Sequence, residues 1–269
     1  MKPLIFELHA AGVLAPGLPT LADLRQACRD GRAPEPSPLV LPPLSQLPAA
    51  ERRRASQAVR LALACVAQAL ESSPFDPAQL RSVFATDEGT GEVCQQMLEA
   101  LATTGQISPL LFTNSVHNAP SGYFSIGWGN KQPATVVSMG LDSFACGLLC
   151  AVTDAMASGQ PVLLVVSDPA MTAPLDELLP VTQGTAAAFV LTAANAAAAP
   201  GLGRFRLALE PAADLAPSPL PDWLRPEWAG NSSVRALAAL GLLEQPAGAV
   251  ARFALGGQLL ALAREEAQP

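Results

Sequence analysis

Three small groups of residues in this chain have the types that acyl or hydrolytic chemistry needs. Ser115, His117 and Asn118 stand close together, and a serine nucleophile requires an imidazole base within hydrogen-bond reach. Ser115 and His117 lie on the same short run, however, and no Gly-x-Ser-x-Gly turn follows a strand. His117 therefore reads as a structural histidine or one at a subunit interface. Cys146 and Cys150 fall four apart on one helix face, where thiols serve as small core hydrophobes. An acyltransferase or thioesterase would have to use Cys146 or Ser143 as its nucleophile. Asp87 and Glu88 are the best paired carboxylates, but adjacent side chains point apart, which argues against shared acid–base work.

Other motifs are weaker still. Gly89-Thr90-Gly91 is too short to cradle a phosphate. Arg52-Arg53-Arg54 reads as the beginning of a helix, where positive charge opposes the dipole. That placement fits a solvated face or contact with an acidic protein. The five cysteines are an odd number and include no Cys-x-x-Cys pair, so neither a disulfide framework nor a metal site is expected, and no cofactor.

The elements that would carry these residues alternate. Strands are expected at 3–9, 81–86, 134–140, 161–167, 185–192 and 203–209, with two more joined at Gly256-Gly257 within 249–264. Helices are expected at 50–71, 92–101, 143–158 and 233–243; the first shows Val59, Leu63, Val66 and Leu70 at helical spacing. Residues 33–48 hold too many prolines for regular structure. The pattern implies a layered α/β domain with a mixed sheet. Half of the 269 residues are hydrophobic and 14% are charged, so a packed core is expected. A net charge of −7 disfavours nucleic acid. No signal peptide stands out after Met1-Lys2-Pro3, the apolar runs fall short of a bilayer span, and a reducing cytoplasm is the expected location.

Residues 115–148 resemble the approach to the nucleophile of a β-ketoacyl synthase, a thiolase-related family. Asn118, Ser125, Ile126, Gly129 and Pro133 match the helix and turn of that approach, and Thr135-Val136-Val137-Ser138 the strand. Met139-Gly140-Leu141-Asp142-Ser143 then occupies the elbow, with Leu141 where the acyl-accepting cysteine belongs. The stretch SVHNAPSGYFSIGWGN and the Gly140-to-Phe144 elbow also resemble short chain-length-factor-like subunits of bacterial aryl polyene and xanthomonadin pigment clusters.

The resemblance implies a thiolase-like α-β-α fold, reduced relative to a full synthase. It implies one domain over 1–269, with 1–200 like the synthase N-terminal half and 201–269 a reduced remainder. It implies no catalytic residue of its own and a heterodimer with a full-length β-ketoacyl synthase, or a homodimer when alone. Substrates would be presented on acyl carrier protein. Met139, Leu141 and Phe144 are the implied walls of an acyl tunnel; Asn118, Thr135, Val136 and Val137 are the implied dimer contacts. A complete synthase has two related halves with its catalytic histidines in the second, whereas His9 and His117 both lie in the first half here. Phe253 to Gln258 either echoes a glycine-rich loop of the second half, with Gln258 at the histidine, or forms a Gly-Gly hairpin turn.

Overall fold

Eight strands form one mixed sheet in the computed structural model, which describes residues 2–194, 201–213 and 215–266. In chain order the elements are β1 (Leu4–Leu14), α1 (Leu21–Asp30), α2 (Ala49–Arg54), α3 (Gln57–Glu71), β2 (Arg81–Ala85), α4 (Gly91–Thr104), α5 (Pro109–Asn114) and α6 (Ala119–Trp128). There follow β3 (Ala134–Val137), α7 (Ser143–Ser158), β4 (Val162–Asp168), β5 (Thr185–Ala193), β6 (Gly203–Pro211), α8 (Ser233–Gly241), β7 (Val250–Leu255) and β8 (Gln258–Arg264). Across the sheet the order is β3-β2-β4-β5-β1-β6-β8-β7. Strand β2 runs parallel to β3 and β4, and every other neighbouring pair is antiparallel.

Side-chain alternation along β4 explains the three layers. Leu163 and Val165 face a core built with Val59, Leu63 and Val66 of α3 and Phe124 of α6. Leu164 and Val166 face the opposite core, with Phe144 and Leu148 of α7 and Leu237 and Leu240 of α8. A strand covered on both faces has no polar face to show, hence its unbroken apolar sequence. Gly12 lets α3 lie directly on β1, because a Cβ there would stand 2.3 Å from the Cys65 carbonyl oxygen.

That close packing extends β1 to Leu14, beyond the expected end at residue 9. Helix α1 lies where the sequence pattern led to no expected element. Thr20 caps its start by accepting from the Asp23 N–H, and Gly31 ends it in the left-handed region at φ 61°. The expected helix 50–71 is two helices, because Ala55 turns extended and Ser56 starts α3 afresh by accepting from the Val59 N–H. Arg52, Arg53 and Arg54 therefore occupy the last turn of α2, not a helix start. There positive charge suits the dipole, and the expected opposition disappears.

Strand β3 stops at Val137, three residues short of its expected end. Residues 203–264 add β6, β8 and β7 to the same sheet. Among the described residues one 19-residue segment, Gly140–Ser158, is by length and composition able to cross a bilayer, contrary to the expectation from apolar runs. It is α7 with its lead-in turn, and its apolar character is accounted for by packing: Phe144, Leu148, Ala151, Val152 and Ala155 are buried in the core.

Candidate functional site

Beyond Val137 the chain leaves β3 and reverses into α7 over five residues. Gly140, at φ 57°, supplies the left-handed position that the bend requires. The Ser143 hydroxyl locks the bend from within: it donates to the Gly140 carbonyl at 2.7 Å and accepts the Met139 N–H at 2.8 Å. The side chain presented beside that bend is Leu141, 42% exposed. A hydrocarbon branch has neither a lone pair to attack with nor an atom to carry an acyl group.

Asp142 occupies the helix N-cap but makes no side-chain cap there. Its Oδ2 accepts the Gly256 N–H at 3.0 Å, so the tip of the β7–β8 hairpin comes to the elbow. Gly256 and Gly257 are that tip, at φ 55° and 83°, which is the geometry of a two-residue hairpin turn. Gln258 begins β8 opposite Leu255 and is exposed.

Beneath the elbow Asp87 meets two charged residues that the sequence reading did not single out, Asp168 and Arg235. Asp168, the last residue of β4, is buried and ties three elements together. It accepts the Asp87 N–H at 2.7 Å, the Thr86 hydroxyl at 3.4 Å and the Ser233 N–H at 2.6 Å. Burial pushes the Asp168 carboxyl up, and those hydrogen bonds pull it back. Asp87 is pushed up to about 6, first by burial and then by the charges of Asp168 and Glu88, with Arg235 opposing. Burial lowers Arg235, while Asp142, Asp168 and Asp87 raise it. The polar pair Ser167-Asp168 closing an otherwise apolar strand was the available signal, since α/β sheets place sites at the carboxyl ends of their strands.

The nucleophile candidates are not equipped. Ser143 is fully buried, its hydroxyl engaged as described. The Cys146 thiol is pushed up to about 11 by burial first, then by Cys150 and Asp142, so it stays protonated and weakly nucleophilic at neutral pH. His9 is buried on β1 with Nε2 2.9 Å from the Thr192 hydroxyl. His117 is exposed on the turn before α6, its ring against Gly89. Among the described residues no cluster of three or more His, Cys, Asp or Glu side chains could hold a metal.

Of the tunnel candidates, Met139 and Leu141 are exposed at 46% and 42%. Phe144 is instead fully buried, between the Phe189 ring at 6.1 Å and the Phe253 ring at 4.9 Å. The interface candidates Thr135, Val136 and Val137 form β3, the open edge of the sheet. The Pro133 and Val137 carbonyls accept from Ser82 and Thr86, so the alternation of a strand turns the Val136 N–H and C=O away from β2. Asn118 is exposed just ahead of α6 and makes no side-chain cap.

The family model described as the N-terminal domain of beta-ketoacyl synthase matches residues 26–215. A solved ketosynthase (ApeO) in complex with its chain length factor (ApeC) from Xenorhabdus doucetiae is 24% identical at a TM-score of 0.72, over 97% of this chain and 100% of that chain. A type II PKS acyl-carrier protein in complex with its ketosynthase (AntDE:AntF) is 13% identical at 0.74, over 97% and 99%. The ketosynthase from module 1 of the bacillaene synthase of Bacillus amyloliquefaciens is 15% identical at 0.59, and there 79% of this chain meets 47% of that chain. These likenesses establish the fold: the thiolase-like layered architecture of ketosynthases. No curated protein matches in sequence.

Proposed function

Because the chain belongs to the beta-ketoacyl synthase N-terminal domain family, we propose that it is a non-condensing, chain-length-factor-like subunit of a ketosynthase complex. The observation that carries this is Leu141 on the elbow, with no competent nucleophile beside it. In this reading the open edge of β3 pairs with a full-length β-ketoacyl synthase in the cytoplasm, Thr135, Val136, Val137 and Asn118 lying at the contact. An unpaired, β-branched edge is a surface that proteins keep covered. Met139 and Leu141 would bound the chamber that measures the growing chain, and Phe144 would hold them from behind. Each methylene excluded from such a chamber forgoes about 0.8 kcal/mol of burial. The substrates would be acyl chains on carrier protein, in aryl polyene or related fatty-acid or polyketide-type biosynthesis. The likeness to a ketosynthase solved with its chain length factor supports the pairing.

The test is condensation of malonyl- and acyl-carrier-protein substrates by the pure chain, alone and with the ketosynthase it accompanies. The chain alone should give no product. Leu141→Cys should also give none, because a synthase's two catalytic histidines belong to its second half, whereas His9 and His117 both lie in the first half of this chain. Product from either sample overturns the proposal. Size analysis separates a heterodimer from a homodimeric acyl-binding protein: the latter would stay self-paired when the synthase is added.

A further inference from the structure

The five cysteines divide by burial. Cys28 and Cys65 are enclosed, one in each core, and serve there as small hydrophobes. Cys94 stands exposed on α4, its thiol 3.8 Å from the Thr90 hydroxyl. Cys146 and Cys150 are different: both are half-buried, and both lie on α7 one turn apart. That helix sends Phe144, Leu148, Ala151, Val152 and Ala155 into the core. Its periodicity puts the two cysteines on the other side, toward the exposed Thr153 and Met156.

Spacing decides what such a pair can hold. Side chains four apart on a helix are neighbours, about 5–6 Å apart at Cβ. A disulfide needs Cβ atoms about 3.5–4.5 Å apart, so the helix keeps the two thiols too wide to bond directly. They still interact: burial first, then Cys150 and Asp142, push the Cys146 thiol up to about 11. An ion seated between the sulfurs spans the remaining gap. Zinc takes four donors, and no third His, Cys, Asp or Glu joins the pair among the described residues. Soft sulfur donors favour monovalent copper, which is satisfied by two of them in line.

We propose that Cys146 and Cys150 form a two-sulfur site for a soft monovalent cation of the copper class, on the outward face of α7. On binding, each S–H bond breaks and each sulfur keeps the electron pair that bonds the ion. Two protons pass to water, and the copper stays monovalent throughout. Affinity therefore rises with pH. The site lies within one chain and uses neither acyl chemistry nor a partner, so its failure says nothing against the subunit role.

The test titrates the full chain alone, reduced and free of oxygen, with monovalent copper against the chromophoric chelator ferrozine. The expected result is one copper per chain, with two sulfur neighbours in the X-ray absorption spectrum and tighter retention as pH is raised. Cys146→Ser and Cys150→Ser should each weaken binding by at least about a hundred-fold, because the second donor of a linked pair contributes that much. Cys94→Ser should leave binding unchanged. A thermal melt shows whether each variant is folded; where serine is not tolerated, Cys146→Ala and Cys150→Ala carry the same test. The proposal is overturned if the chain keeps no copper against the chelator, or if binding survives either substitution in a folded variant. It is also overturned if Cys94→Ser abolishes binding, or if one copper is shared by two chains.

Discussion

Replacing Phe144 by alanine separates a wall of the chamber from a support of the core. The ring touches Phe189 on β5 and Phe253 on β7, strands four places apart in the sheet order. It thus fastens the first turn of α7 to both. Removing a buried aromatic ring of this kind costs about 3–5 kcal/mol. At about 2–4 °C per kcal/mol for a chain of this size, the melting temperature should fall by roughly 10 °C. The assay is a thermal melt and a product-length analysis on the same reconstituted complex. The expected outcome is the large drop in melting temperature, with unchanged product lengths from the complexes that survive. Longer products from a variant that melts within about 2 °C of wild type, less than about 1 kcal/mol, would refute the reasoning and make Phe144 a wall residue.

Val136→Pro removes a donor that faces away from β2, so the protein should fold but fail to pair and should elute as a monomer or precipitate; a normal dimer from this variant would rule out edge-to-edge assembly. Asp87 holds its proton up to about 6 against an ordinary 3.8, so the folded state binds a proton that the unfolded chain has released, and stability declines as pH rises between those values. Asp87→Asn should therefore melt higher than wild type at pH above about 7 and lose that advantage near pH 4, as thermal melts across pH would show. Iodoacetamide should label Cys146 slowly at neutral pH, because the thiol is pushed up to about 11, and labelling should leave the synthase activity of the complex intact.

Much of this protein is written locally. The continuous apolar run of β4, the helical spacing of α3 and the Gly256-Gly257 turn each answer to short-range rules, and each forms where those rules put it. The chemistry of the elbow residue was legible as well, since Leu141 lacks a nucleophilic atom in any fold. Elements defined by a single cap were harder to see: α1 rests on Thr20 and Gly31, and the break before α3 on Ser56. What only tertiary structure decided is which distant residues meet. Asp168 joins Asp87 and Ser233 across 81 and 65 positions of sequence, and the β7–β8 hairpin reaches Asp142 across 114. These contacts depend on how the strands and helices pack together, as where Gly12 lets α3 lie directly on β1. Period and propensity describe one element at a time, so they place Phe144 on a helix but do not say that its ring lies between two strands four places apart in the sheet.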